Sequence, residues 1–404
     1  MTTTTTSPFT LLTEQQIDTF VRDGLLVVDN FLGRDQVAAA EQGLAATLAK
    51  HGVDVPDLEG TAGNLAALSS TGGSGGVLDV FYDEWKLDDS IALNPQLLAW
   101  TQQLWKAAYC YGEEALADLS PDEQFKWHPF GSFDPNHGGY AYIDRICYRI
   151  PTALSDKIGR QQEQEQPSSS SSFCNASSSA KTQKNKKKKT LQRSLTPHLD
   201  CCPDTFTTAV GKSKWRPIQC FVSLTDNLEP NTGGFEAAKG FHREFQTWTR
   251  QRAPTIVIDQ HTGQTKSIPA PCIGEYTHIR PTQDAKVMQR VQHVPVKKAA
   301  AVFWDHRLPH ANAYRHTGTT PRVIVYASFL PNLPLNRAYA ERQLQEWWRG
   351  RAPTDQWINT DHDHNDTTGE DQRTADQEEA SAKLQTRFEK LPKLSRQLLA
   401  LEEW

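Results

Sequence analysis

Apolar positions fall at helical spacing early in the chain and at strand spacing later. Thr13-Glu14-Gln15-Gln16 reads as a capping box, and Ile17, Phe20 and Val21 continue it as an amphipathic helix that Gly24 ends. Leu25-Leu26-Val27-Val28 predicts a short, mostly buried strand, and a second helix is expected from about Asp35 to Lys50. Residues 60–76, rich in Gly, Ser and Thr, read as loop. Leu97, Leu98, Trp100, Leu104 and Trp105 place further helix between Asn94 and Ala117. From Tyr140 the pattern alternates, and Tyr142 to Ile150 reads as strand. Further strands are predicted at Pro217 to Leu224, Thr255 to Ile258, Ala300 to Trp304 and Arg322 to Phe329. Helices first and many short strands later predict a mainly β chain with α: an antiparallel double-sheet barrel buttressed by N-terminal helices, not a βαβ repeat.

Two segments break this pattern. Residues 161–190 hold a block of Gln and Glu, then eight serines and six lysines, and are expected to be a disordered insertion that can be deleted without loss of fold. Lys186 to Lys189 could serve as a nuclear address, though a solvated loop is the simpler reading. Residues 355–380 carry nine acidic residues against one Arg and read as a linker to a last helical segment, 381–404. One domain over 11–350 accounts for the rest. The net charge of −5 gives no global basic field for nucleic acid, and no apolar run approaches the length of a membrane span. The N-terminus lacks a basic start followed by an apolar run, and seven cysteines include no CxxC pair. A reducing, cytoplasmic location and a monomer are therefore expected. No GxGxxG or GxxxxGK[ST] opens a helix, so nucleotide readings have no foothold.

The chemistry concentrates in Thr196-Pro197-His198-Leu199-Asp200. On extended backbone residues i and i+2 share a face, so His198 and Asp200 can aim at one point while Leu199 packs. That is two-thirds of a 2-His-1-carboxylate metal triad, and His310, after the apolar run Val302-Phe303-Trp304, supplies the third ligand. Three protein ligands on one face leave three positions open, two for a bidentate oxoacid and one for dioxygen. Arg322, twelve residues beyond His310, alternates onto one face with Ile324 and Tyr326. A charge on so apolar a strand needs a partner, and a bound carboxylate suits the guanidinium fork. The rivals are poorer. No histidine follows His364-Asn365-Asp366 to complete a triad, and His242-Arg243-Glu244 sits among glycines that read as turn.

These residues resemble the phytanoyl-CoA dioxygenase family of iron(II) and 2-oxoglutarate oxygenases. The resemblance runs from about Leu11 to Leu330. It rests on Thr196 to Asp200, the Ile218-to-Asp226 strand with its Asn231-to-Phe235 turn, Lys239-Gly240-Phe241-His242, and Phe303-Trp304-Asp305 through His310 to Arg322. It implies a double-stranded β-helix of the jelly-roll, cupin-like kind. It implies that His198, Asp200 and His310 hold Fe(II), that Arg322 holds the distal carboxylate of 2-oxoglutarate, and that Gln219 contacts this co-substrate. Ascorbate as reductant, dioxygen and a small-molecule substrate follow. The chain departs from the family pattern at Ala299-Ala300-Ala301, where Gly-Asp is common, and at Asn312, where Ser is common. Asn312 keeps a polar contact available. An acid at position 200 favours hydroxylation over halogenation.

Other residues were weighed against this set. Tyr142, Asp144, Tyr148 and Arg149 are candidates for a substrate pocket, Arg149 and Tyr148 foremost. Trp127, His128, His137 and Tyr140 form an aromatic loop that is a lid or packing. His306 and His316 flank His310 as alternative ligands, and Asp361 to His364 is a loose metal tract. Cys201 and Cys202 read as packing residues, since soft thiolate suits an oxygen-activating iron poorly. Two other functions stay open: a catalytically silent barrel that binds a small molecule or protein, and a zinc hydrolase in which Arg322 has no role.

Overall fold

The computed structural model describes residues 9–87, 90–165, 190–203, 212–252, 255–258, 265–268, 276–353 and 375–404. The insertion expected at 161–190 falls mostly outside them, although the helix Thr152–Glu165 runs into its first residues. Much of the acidic linker, with Asp361 to His364, also lies outside.

Helix α1 (Glu14–Asp23) opens on a complete capping box: the Gln16 amide donates to Thr13 Oγ1, and the Thr13 amide donates to Gln16 Oε1. It ends at Gly24, whose φ of 67° is left-handed. A Cβ there would also strike the His242 ring, so this turn admits only glycine. Thr13→Ala is expected to cost about 1 kcal/mol, read by equilibrium unfolding. Helix α2 (Arg34–Lys50) follows, then α3 (Pro95–Ala108), capped by Asn94. The loop expected at 60–76 is partly helical, with a 3-10 turn over Ala62–Leu68, because Ala62, Leu65 and Leu68 bury there. The helical stretch expected from Asn94 to Ala117 is two helices, Pro95–Ala108 and Glu113–Ala117, broken between them.

Eleven strands build two antiparallel sheets. In chain order they are β1 (Leu25–Val28), β2 (Val77–Leu78), β3 (Ile146–Arg149), β4 (His198–Leu199), β5 (Ile218–Ser223), β6 (Phe235–Ala237), β7 (Thr277–His278), β8 (Gln292–His293), β9 (Ala301–Asp305), β10 (His310–Asn312) and β11 (Arg322–Tyr326). The larger sheet has the order β1-β9-β5-β11-β3-β2, and the smaller has β7-β4-β10-β6-β8. Of the expected double-sheet barrel the two antiparallel sheets are present; among the described residues they remain separate, each with two edge strands, and no closed barrel is found. The run expected to continue from Arg322 to Phe329 bends at Ala327, and Ser328–Pro331 then pairs with Gly139–Tyr142 instead.

The larger sheet is covered on both faces, which explains its nearly unbroken apolar runs. Leu26, Val28, Cys220, Val222, Ala301, Phe303, Val323 and Val325 join the core formed with the N-terminal helices. Their alternates, Leu25, Phe221, Val302, Trp304 and Ile324, join Leu199, Phe235 and Ala237 of the smaller sheet. The period of two therefore gives each strand one helix-facing side and one side that faces the second sheet. Every residue of the candidate site on these strands belongs to the second set. No helix among the described residues is long and apolar enough to cross a membrane.

Candidate metal centre

Strands β4 and β10 are neighbours, and their register sets His198 directly opposite His310. The two rings lie 4.5 Å apart, centroid to centroid. Asp200, two residues after His198, closes the group: its Oδ1 is 3.4 Å from His198 Nε2 and its Oδ2 is 3.5 Å from His310 Nε2. The three ligand atoms all lie within 4.8 Å of one another, a spacing that could hold one metal ion.

The tautomers are decided by local backbone. His198 Nδ1 faces the Thr196 carbonyl at 2.9 Å, and His310 Nδ1 faces the Leu308 carbonyl at 2.9 Å. A carbonyl only accepts, so each Nδ1 carries the proton and each Nε2 keeps a lone pair turned toward Asp200. Metal-binding imidazoles are commonly held in this way. Burial, with His310 beside it, pushes His198 down to about 4, so the ring is neutral near pH 7. Burial alone would raise Asp200, but His198, His310 and Arg216 outweigh it and hold the carboxyl below the usual range. Two imidazole nitrogens and one carboxylate suit a divalent ion of borderline hardness. A cavity of about 440 Å³ opens beside the group, with Gln219, Phe221, Trp304, Asn312 and Tyr326 in its wall.

Gln219 and Asn312 both line this cavity. Arg322, fully buried, lies just behind the wall: Nη1 donates to Asn312 Oδ1 at 2.7 Å, and the guanidinium lies over the Phe221 ring at 5.5 Å. Tyr148 and Arg149 are corrected as pocket residues, because neither lines this cavity. Tyr148 turns to the helix side and borders a separate apolar cavity of about 290 Å³ with Leu44 and Val323. Arg149 donates to the Tyr314 carbonyl at 2.9 Å. Tyr142 and Asp144 do line the cavity.

Among the described residues no other histidine joins the group. His242 Nε2 meets the Val21 carbonyl at 3.0 Å, His316 Nε2 meets that of Thr320 at 2.9 Å, and burial pushes His306 down to about 3. His128 stacks on Trp215 at 4.1 Å, so that part of the aromatic loop is packing. Cys201 is buried in the core between the sheets.

Trp304, Tyr276 and Arg216 are among the cavity residues that the sequence does not single out. Trp304 looked merely apolar, although alternation from Val302 places it on the site face. Tyr276 stacks on His198 at 4.6 Å and arrives from a distant strand. Arg216, beside Pro217, carried a detectable signal as a charge at the mouth of an apolar strand.

No family model matches the chain, and no curated protein matches its sequence. Solved structures do. The crystal structure of GIG2 (DUF1479), from a GlcNAc-inducible gene of Candida albicans, is 14% identical at a TM-score of 0.59, covering 97% of this chain and 77% of that one. The hypothetical protein JW0805 of Escherichia coli is 13% identical at 0.54, covering 86% and 78%. What they share with this chain is the fold. EctD from S. alaskensis with bound Fe superposes more loosely, at 0.41 and 14% identity, over 79% and 76%.

Proposed function

We propose that the chain is an Fe(II)- and 2-oxoglutarate-dependent dioxygenase that hydroxylates a small molecule. The observation that carries the reading is the convergence of His198, Asp200 and His310 with both imidazole lone pairs turned inward. The two-sheet core is then read as a double-stranded β-helix left open at its edges, in keeping with the resemblance to phytanoyl-CoA dioxygenases. The net reaction would convert a substrate C–H, dioxygen and 2-oxoglutarate into an alcohol, succinate and carbon dioxide.

The cavity wall supports an oxoacid co-substrate. Its buried polar atoms without a partner are N–H donors, Gln219 Nε2 and Trp304 Nε1, and Arg322 Nε behind the wall is likewise unpartnered. Buried donors left unpaired cost about 1–3 kcal/mol each, so the missing ligand is rich in acceptors, as a dicarboxylate is. His198, Asp200 and His310 would hold the ion, which when bound supplies activation of dioxygen coupled to decarboxylation of the oxoacid. Gln219 and Trp304 would donate to co-substrate oxygens, and Arg322 would take the distal carboxylate. Phe221, Phe235 and Ile324 would exclude water around them.

Purified protein with iron and 2-oxoglutarate is expected to release succinate, slowly without substrate. Complete absence of succinate and of metal uptake would favour a silent binding module, whereas activity without dioxygen would favour a hydrolase. Arg322→Ala is expected to raise the 2-oxoglutarate requirement by roughly 10-fold or more while metal stays bound, as loss of a charged hydrogen bond implies. An unchanged requirement would remove Arg322 from this role.

A further inference from the structure

Lys86 is completely buried and takes no part in the site described above. Its side-chain nitrogen donates to the carbonyls of Val80 at 2.9 Å, Phe81 at 3.3 Å and Asp144. Three carbonyls match the three donors of an ammonium, and they pin the Asp144 peptide to the turn before Lys86. The Asp144 side chain is held in turn, with Oδ1 taking the Arg145 amide at 2.8 Å and Oδ2 taking Arg216 Nη1 at 3.0 Å. Arg145 itself is drawn off to Asp79 at 2.6 Å. Arg216 lies flat over Tyr142 at 4.2 Å, and its Nη2 stands 3.8 Å from Asp200 Oδ2. The side chain of Arg216 is only 10% exposed, within the wall of the metal cavity.

We infer that Lys86, Asp144 and Arg216 form a positioning chain that orients the Asp200 carboxylate for metal binding, an assignment that rests on the metal reading above. A carboxylate on a single methylene can swing about its own axis, and either oxygen can meet a metal. Here both oxygens face imidazole nitrogens, and Arg216 marks one of them, Oδ2. A charged partner on that oxygen leaves Oδ1 to the ion and lowers the entropy lost on binding. Asp144 is the fixed end, and its carboxylate holds the other arm of the fork while Nη2 stands beside Asp200. These residues act through Asp200 and are positioning residues.

The test uses Co(II) as the probe, titrated anaerobically into the full chain and followed by its visible absorption. Arg216→Met is expected to weaken Co(II) binding about 10- to 100-fold, with Arg216→Lys recovering part of the loss. Asp144→Asn, which keeps the shape of the side chain, is expected to weaken it in the same direction, and serves if Arg216→Met fails to fold. A role confined to packing would move the unfolding temperature of metal-free protein and leave the Co(II) affinity alone, which would overturn the inference. So would an Arg216→Met variant that binds Co(II) as the parent does but demands more 2-oxoglutarate. If the parent bound no Co(II), the metal reading would fail and this inference with it. If the parent bound and both variants matched it, only the positioning chain would fail.

Discussion

His198→Ala and Asp200→Ala should each abolish metal binding and turnover together. Each removes one of only three donor groups, so the loss should exceed the roughly 10- to 100-fold cost of losing an outer partner. For His198 the missing element is an Nε2 lone pair whose direction depends on the Nδ1 contact with Thr196. For Asp200 it is the one negative charge in the set, without which only the two imidazoles remain to hold a dication. Metal titration and succinate release are the measurements, with circular dichroism to show that the fold survives. Metal binding at parental affinity in either variant would place the ion elsewhere. Succinate release that persisted without metal would end the oxygenase reading.

A second large effect is expected behind the site, at Arg307. Its guanidinium grips Asp305 twice, Nε on Oδ1 at 2.8 Å and Nη2 on Oδ2 at 2.6 Å, and both side chains are fully buried. Nη1 reaches the Phe125 carbonyl, while the Tyr109 hydroxyl donates to Asp305 Oδ2 at 2.7 Å. This network closes the turn from which His310 emerges, since the Leu308 amide donates back to the Asp305 carbonyl at 2.9 Å. Burial alone would raise the Asp305 carboxyl, but Arg307 outweighs it and holds the group low. Arg307→Ala leaves an unpaired buried carboxylate and should cost about 3–5 kcal/mol.

The pH dependence separates charge from packing. With Arg307 present, the depressed Asp305 contributes stability above its unfolded value, and that contribution is lost only as pH falls through the lower folded value. With Arg307 gone, the largest influence opposing burial is lost and the carboxyl rises, so the variant's deficit should shrink as the pH is lowered and Asp305 protonates. A deficit independent of pH, read by denaturant unfolding, would mean that lost packing and not the stranded charge is the cause.

Much of the site was legible because strand periodicity is rigid. His198 and Asp200 are two apart, as are Arg322 and Ile324, so their shared faces follow from the pleat before any fold is known. The same rule carries Trp304 onto the site face, but an indole reads as core until its N–H is found without a partner. Tyr148 and Arg149 show the limit of the method. Adjacent residues must point oppositely, so only one could ever face the second sheet, and the local sequence does not say how far along the sheet the cavity reaches.

By itself the chain determined the capping box at Thr13, the Gly24 turn, the strand that follows Pro217 and the order of the three candidate ligands, all set by local backbone preference or by spacing. The tertiary structure alone decided that β4 and β10 are neighbours, that His306 and His316 stay outside the ligand group, and that Arg216 stands beside Asp200. Those outcomes depend on which distant strands pair and which carbonyls happen to lie within reach. Neither is encoded in any short stretch of residues, because hydrogen bonding between strands is blind to their separation along the chain.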